Sequence, residues 1–227
     1  MDDRLLRILL EAFPRLLGRG LLVTVPLTVL AFSFAMVIAV ACALVQVANI
    51  PVARRAVRIY IWIFRGTPLL VQLYLVFFGL PDLGIMLPAF PCAVLVFALN
   101  EGAYCAETMR AAIEAVPRGQ MEAGLCVGMT YWQTMRRIIL PQAFRTAFPP
   151  LSNSVISMVK DTSLAANITV AEMMMTGQQI AGRYYEHFAI YAEVALIYLM
   201  FSTVLTWVQR KGERRLNAIS GNEANHA

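Results

Sequence analysis

Residues 122–141, EAGLCVGMTYWQTMRRIILP, decide the fold, because they place a polar helical hairpin between strongly apolar stretches. Gly128 predicts a break between two helices. Thr130 and Gln133 have capping-box spacing, so a second helix can begin directly after the glycine. Pro141 is predicted to end that helix or to bend it. A bent hairpin that carries adjacent arginines suits an aqueous surface, where another protein can hold it, better than lipid.

The composition is that of a membrane protein. Of the 227 residues, 59% are hydrophobic and only 15% are charged, whereas a soluble domain has about 25% charged residues. The net charge of +5 fits the excess of Lys and Arg in cytoplasmic loops. It does not favour nucleic acid as a partner, because the basic residues are scattered at the ends of apolar segments. The sequence therefore predicts an all-α polytopic membrane protein with residues 1–227 in a single transmembrane domain.

Five apolar segments are predicted to span the bilayer, for which about 20 residues suffice. They lie within residues 21–210 and comprise residues 21–47, 59–80, 92–112, 150–170 and 188–208. Residues 1–20 are predicted to form an amphipathic helix at the membrane interface. Residues 117–141 form the hairpin loop, and residues 211–227 form a tail.

The distribution of basic residues predicts the orientation of the chain. Arg54, Arg55 and Arg58 precede the second span and share a side with the hairpin and the tail, whereas the opposite side carries mainly Asp82. The positive-inside rule therefore places the hairpin and the C-terminus in the cytoplasm and the N-terminus outside. The N-terminal segment is a counter-signal, because it holds four arginines among three acids.

The second apolar segment is interrupted by Arg65-Gly66-Thr67-Pro68. Glycine and proline at this point predict that the helix bends or unwinds. The Arg65 side chain is long enough to reach back to the interface. A role in folding or packing is favoured over contact with a substrate.

A polar stripe runs along the third span. Asn100, Tyr104 and Glu107 follow the spacing i, i+4 and i+7, so they lie on one face of a helix. The fourth span can present three further polar residues to this stripe: Ser157, Asp161 and Ser163. Together they offer carboxylates to an ammonium group, and hydroxyl and amide groups to a carboxylate. The alternative is a structural polar network between helices, and an ion pair from Glu107 to Arg110 would remove Glu107 from the candidates.

Two other classes of protein are alternatives to a transport subunit. A carrier driven by an ion gradient could use Glu107, Lys160 and Asp161 as a relay, but the sequence lacks an obvious inverted repeat. Lys160 and Asp161 could instead lie near a span end and position the fourth span. A membrane enzyme finds no support, because no nucleophile–base cluster is evident. The chain also has no P-loop motif with which to bind ATP.

A metal site is not predicted either. The chain has two histidines and four cysteines, none of them in a CxxC pair. The cysteines are interpreted as small apolar packing residues: Cys42, Cys92, Cys105 and Cys126. Met173, Met174 and Met175 are interpreted in the same way.

The hairpin resembles the EAA loop of the membrane subunits of bacterial ATP-driven importers. The positions that match its pattern are Glu122, Ala123, Gly128, Ile138, Leu140 and Pro141, with Gly124 in place of the second alanine. Residues 64–74, 99–116 and 140–168 resemble further signatures of the histidine/glutamine permease family. Within that family the stretches YIWIFRGTPLLVQLY and FFGLPDLGIML are most similar to L-cystine permeases. Glu101 departs from the family pattern, in which a small or hydroxyl residue is more usual.

The resemblance implies a permease of a type I ABC importer in the bacterial cytoplasmic (inner) membrane. It implies a polar amino acid as substrate, with L-cystine the best match. Two permease subunits, identical or paralogous, would assemble with two ATPase subunits that bind ATP and Mg²⁺ and with an external substrate-binding protein. The permease itself would be no enzyme and would bind no cofactor. The residues implied in coupling to the ATPase are Glu122, Ala123, Gly124, Gly128, Arg136 and Pro141.

Overall fold

The computed structural model of the chain describes residues 3–47 and 51–224, with side chains as far as residue 216. The regular elements in these ranges are all helices. The α-helices are α1 (Asp3–Arg19), α2 (Val25–Val47), α3 (Pro51–Gly66), α4 (Leu69–Tyr74), α5 (Ala89–Glu114), α6 (Arg118–Cys126), α7 (Tyr131–Thr134), α8 (Leu140–Asp161), α9 (Met173–Tyr184) and α10 (His187–Ala224). The predicted all-α class is confirmed.

Helices α1 and α2 are continuous through one π-helical segment, Gly20–Thr24. The buried face of α1 consists of Ile8, Ala12 and Leu16, which are spaced four residues apart and therefore lie on one side of the helix. This face packs against α9 and α10. Within the predicted segment, Asp3–Arg19 form an amphipathic helix, while its position at the membrane interface stays a prediction.

Three helices among the described residues are long and apolar enough to cross a membrane: Asp3–Val47, Ala89–Glu114 and His187–Leu216. The bent pair α3 and α4 can supply a fourth span. The predicted fourth span, residues 150–170, is not among them; it combines the end of α8 with the 3₁₀-helix Thr162–Ile168 and carries Lys160 and Asp161. The count of five spans therefore stays a prediction.

The tightest packing in the core joins α2 to α5. A stripe of alanines on α2 is fully or almost fully buried: Ala31, Ala35, Ala39 and Ala43. Small residues at this spacing let two helix backbones approach closely, as in other membrane bundles. Gly102 of α5 completes the contact, because a Cβ atom at that position would lie 3.0 Å from Ile38 Cγ2. The α2–α5 pair is thus a rigid frame beside which the remaining helices pack.

The second predicted span is a broken helix. Helices α3 and α4 meet at an angle of 106° across Thr67 and Pro68, so the predicted bend is confirmed. The broken end leaves backbone carbonyls without helical partners, which is costly where water is absent. Gln72 Nε2 donates to the Phe64 carbonyl at 3.0 Å and to the Thr67 carbonyl at 3.1 Å.

Asn100 of α5 completes this network from a neighbouring helix. Its Nδ2 donates to the Phe64 carbonyl at 3.1 Å and to Gln72 Oε1 at 3.0 Å, and the residue is only 8% exposed. At Asn100, therefore, the polar stripe forms a structural hydrogen-bond network between helices, which is the alternative to substrate contact. Asn100 ties the broken helix to the α2–α5 frame.

We expect Asn100→Leu to lower the melting temperature by about 5 °C, because two interhelical hydrogen bonds are lost at about 1 kcal/mol each. Thermal unfolding of the detergent-solubilised chain, followed by helical circular dichroism, measures this change. Asn153→Leu is the matched control, since Asn153 is exposed, and it should melt within about 2 °C of the original chain. An Asn100→Leu chain that melts at the original temperature would contradict the structural role.

Pro141 does not end the second helix of the hairpin, so the predicted helix end is wrong, while the alternative of a bend at Pro141 stays a prediction. Helix α7 continues through a π-helical segment, Met135–Ile139, into α8, and Pro141 lies in the first turn of α8. A proline lacks an N–H donor and its ring clashes with the preceding turn of a regular helix. The wider π turn accommodates such an interruption. Residues 131–161 consequently form one continuous helical rod.

Glu172 fixes the short helix α9 to α10. Its side chain is fully buried, accepts the Met175 backbone N–H at 2.8 Å and accepts the Tyr198 hydroxyl at 2.9 Å. Met173 is fully buried, and Met174 packs against the same cluster. The packing role predicted for the methionines is confirmed for these two.

Candidate functional site

A polar cavity of about 360 Å³ lies between α5, α8 and the start of α4. Its lining residues are Leu69, Asn100, Glu101, Tyr104, Asn153, Ser154, Ser157, Asp161 and Leu164. Two carboxylates, Glu101 and Asp161, line it, and its lining includes no Lys or Arg. The cavity therefore presents carboxyl, hydroxyl and amide groups, which suits a ligand with an ammonium group and further hydrogen-bonding groups.

Four of the six residues predicted for substrate contact line this cavity: Asn100, Tyr104, Ser157 and Asp161. Glu107 does not line it. The Glu107 carboxylate pairs instead with the Arg110 guanidinium, whose Nε donates to Glu107 Oε1 at 3.1 Å. Arg110 also bonds Glu114 at 2.5 Å. The intrahelical ion pair that would remove Glu107 from the candidates is therefore present.

Ser163 also lies away from this cavity. It lines a separate groove together with Lys160, Tyr191 and Tyr198. Ser163 is two residues beyond Asp161, so it points about 200° around a helix from that carboxylate. The chain also leaves α-helical geometry at Thr162, where the 3₁₀-helix begins.

Glu101 is the one ionisable residue of the cavity lining that is absent from the predicted site. Its departure from the family pattern is the signal in the sequence that identifies it. The Cys105 thiol donates to Glu101 Oε1 at 3.6 Å. Since no cation neutralises Glu101 among the residues that line the cavity, the second carboxylate enlarges the negative site.

Arg65, on the break between α3 and α4, lies over the ring of a cavity residue. Its Cζ atom is 5.2 Å from the centroid of the Tyr104 ring, a cation–π distance. Tyr104 is 40% exposed. The broken helix thus places the Arg65 guanidinium beside the cavity. The sequence favours a role in folding or packing for this residue.

The hairpin is rigid at its turn. Gly128 has a φ of +80°, which glycine adopts without strain. The Gly128 N–H donates to the Leu125 carbonyl at 3.0 Å and the Met129 N–H to the Gly124 carbonyl at 3.1 Å, the hydrogen bonds of a Schellman cap. The predicted capping box is confirmed, since Thr130 and Gln133 exchange hydrogen bonds at 3.3 and 2.8 Å.

Gly124 locks the two arms of the hairpin together. It is the one buried residue of α6, and a Cβ atom there would lie 2.5 Å from Thr134 Cγ2 and 2.7 Å from Thr134 Oγ1. Thr134 is itself fully buried and donates to the Thr130 carbonyl at 3.1 Å. Glycine, in place of the family's second alanine, therefore leaves the space that the Thr134 side chain occupies.

The outer surface of the hairpin is exposed and partly apolar. Leu125, Val127 and Trp132 are 49%, 77% and 63% exposed. The remaining predicted coupling residues lie around them: Glu122 and Ala123 are exposed on α6, Arg136 is exposed on the π-helical segment, and Pro141 is exposed at the start of α8. An exposed apolar patch with a polar rim is typical of a protein interaction site.

The hairpin and the cavity are joined by the rod of residues 131–161. Thr134 contacts α6 at one end, and Ser157 lines the cavity toward the other. At the ~1.5 Å rise per residue of an α-helix, the two lie roughly 35 Å apart. Fold and site together fit a helical membrane transport subunit, with a polar cavity joined by one continuous helix to an exposed hairpin.

Comparison with known proteins agrees with this class. A model of the family described as "Binding-protein-dependent transport system inner membrane component" matches residues 35–218. The L-cystine transport system permease protein TcyB of Bacillus subtilis is 45% identical over 91% of this chain and 89% of its own length. The probable amino-acid ABC transporter permease protein PatM of Vibrio harveyi is 43% identical over 92% and 95%. The chain therefore belongs to the family of binding-protein-dependent transport system inner membrane components.

Solved structures give the same result. A chain from an amino acid ABC transporter crystallised with histidines superimposes with a TM-score of 0.87 at 34% identity, covering 95% of this chain and all of that one. A chain of the inward-facing MetNI methionine ABC transporter has a TM-score of 0.76 at 19% identity and shows likeness of fold alone. The predicted class, a permease rather than an enzyme, is confirmed.

Proposed function

We propose that this permease imports a polar amino acid, L-cystine above others, through the cavity between α5 and α8. The observation that carries the proposal is the pair of carboxylates, Glu101 and Asp161, in a cavity whose lining contains no cation. An amino acid presents an ammonium group that these carboxylates can bind. The cystine assignment is supported by the relative TcyB, a permease of an L-cystine transport system.

The proposed substrate site contains Asn100, Tyr104, Ser157 and Asp161, with Glu101 added. Carboxylates bind the ammonium group, while hydroxyl and amide groups bind the carboxylate of the amino acid. Arg65 beside Tyr104 supplies a positive charge near the cavity and can attract the substrate carboxylate. Glu107 and Ser163 are left out of the proposed site, because neither lines the cavity.

Import is proposed to be driven by a separate ATPase subunit, which binds ATP and Mg²⁺. That subunit docks on the hairpin around Glu122, Ala123 and Gly124, with Gly128 and Arg136 completing the surface and Pro141 at its junction with α8. The exposed apolar side chains of the hairpin support this docking. A substrate-binding protein docks on the opposite face, and a second permease, identical or paralogous, completes the path.

The proposed location is the bacterial cytoplasmic (inner) membrane. The hairpin and the C-terminus face the cytoplasm and the N-terminus faces outward, as the distribution of arginines supports. Closure of the ATPase moves the hairpin, and the rod of residues 131–161 carries that movement to Ser157 and Asp161. Alternation of this rod between two positions opens the cavity to one side of the membrane and then to the other.

Uptake of labelled L-cystine into proteoliposomes tests the proposal. The permease is reconstituted with the ATPase subunit and the binding protein encoded beside it, with ATP inside. We expect ATP-dependent uptake that unlabelled cystine competes away and arginine does not. ATP-dependent uptake of another amino acid would overturn the cystine assignment alone. Uptake by the permease by itself, without ATP, would overturn the importer mechanism and favour an ion-driven carrier.

A further inference from the structure

A second pocket lies far along the chain from the transport cavity, in a groove of about 470 Å³ between α1 and α9. Arg15 and Arg19 face it from successive turns of α1, and Arg183 faces it from the last turn of α9. Gln179 adds an exposed amide. The groove lining includes no Asp or Glu.

Among the described residues, the three guanidiniums have no carboxylate partner. Within the part of the chain that the structure describes, Arg15, Arg19 and Arg183 form no ion pair. Arg183 stacks on the ring of Tyr184, with Cζ 5.7 Å from the ring centroid. Three neighbouring positive charges repel one another, so an anion that enters the groove gains from all three. A guanidinium also matches the geometry of phosphate oxygens with paired N–H donors.

The groove reaches the apolar part of the membrane-crossing helix. Leu22, which lines it, is 77% exposed, and its neighbour Leu21 is 53% exposed. Both lie where polar α1 gives way to the apolar segment that begins at residue 21. One end of the groove is therefore cationic and the other is apolar, which matches a lipid headgroup joined to its acyl chains.

We propose that this groove binds an anionic phospholipid, with its headgroup phosphate among Arg15, Arg19 and Arg183 and an acyl chain along Leu22. This site is independent of the proposed import function. It also accounts for the arginine-rich N-terminal segment, which runs against the charge distribution used to orient the chain. The lipid holds α1 against α9, because its phosphate contacts both helices.

Native mass spectrometry of the detergent-purified full-length chain tests the proposal, with phosphatidylglycerol and phosphatidylcholine of the same acyl chains as probes. We expect preferential retention of phosphatidylglycerol. Arg15→Gln, Arg19→Gln and Arg183→Gln combined should reduce that preference about tenfold or more. The control removes three other exposed arginines by Arg4→Gln, Arg7→Gln and Arg58→Gln, and it should keep the preference.

Gly18→Leu keeps the proposal testable if the triple variant unfolds. A Cβ atom at Gly18 meets nothing within 4 Å, so the new side chain fills the groove without removing charge, and it should also reduce lipid retention. Equal retention of both lipids, or an unchanged preference in both variants, would overturn the proposal. Displacement by inorganic phosphate would keep the anion site and overturn lipid as its occupant. Loss of binding-protein docking with unchanged lipid retention would assign the arginines to that protein instead.

Discussion

Gly124→Ala is expected to reduce ATP-dependent uptake about tenfold, although alanine is the residue that the EAA pattern has at this position. The added Cβ atom would lie 2.5 Å from Thr134 Cγ2, and Thr134 is fully buried, so α6 must move away from α7. Overpacking of this kind costs about 1–3 kcal/mol. A displaced α6 presents the docking surface at the wrong angle. The measurement is the uptake rate in proteoliposomes, with ATP hydrolysis recorded alongside.

The chain offers both a rescue and a control for this prediction. Gly124→Ala combined with Thr134→Ala should restore most of the uptake, because the second change removes both clashing atoms. Gly119→Ala is the matched control on the same helix, since a Cβ atom at Gly119 meets nothing within 4 Å. It should transport normally and add some helix propensity. If Gly124→Ala transports like Gly119→Ala, the two arms of the hairpin are not locked in the way we describe.

Signals that depend on neighbouring residues predicted the hairpin well. The break at Gly128 and the capping box of Thr130 and Gln133 are set within a few residues of chain, and both are confirmed. The role of Gly124 could not be predicted in this way. Its partner Thr134 lies on the other arm of the hairpin, so propensity alone presented the glycine as a small loss of helix stability.

At Pro141 the local rule itself gives the wrong result. A proline normally interrupts a regular α-helix, but the π-helical segment Met135–Ile139 places the chain in a wider turn just before it. A π turn has no sequence signature that the residues at 135–139 display. The rod that joins the hairpin to the cavity was consequently missing from the sequence prediction, which had a helix end or a bend at that point.

The polar stripe was predicted in part. Helical spacing brought Asn100, Tyr104 and Asp161 to the cavity, because α5 and α8 are regular over those residues. The sequence contained the Glu107–Arg110 spacing but left open which partner Glu107 would take. The partner of Asn100 was out of reach, since Gln72 approaches it only through the 106° bend between α3 and α4.

Asp161→Asn and Glu101→Gln should each reduce uptake between about tenfold and a hundredfold if the cavity binds the ammonium group of the substrate. A hydrogen bond to a charged group contributes about 1.5–3 kcal/mol, and the neutral amides keep the shape of the carboxylates while removing their charge. The measurement is the uptake rate as a function of the concentration of loaded binding protein. If the maximal uptake rate falls while the concentration of binding protein that gives half of it is unchanged, the defect lies inside the permease and not in docking of the binding protein.

Glu107→Gln is the matched control, because Glu107 lies on the same helix as Glu101 and is neutralised by Arg110 outside the cavity. It should transport within about twofold of the original chain, since a partly exposed intrahelical pair contributes only about 0.2–1 kcal/mol. The three variants thus separate carboxylates that face the path from one that only stabilises α5. Normal uptake by Asp161→Asn and Glu101→Gln, with loss in Glu107→Gln, would move the substrate path to the other side of α5. Glu101 is tested against another carboxylate on the same helix, α5, so a general effect of removing charge from that helix cannot produce the expected pattern.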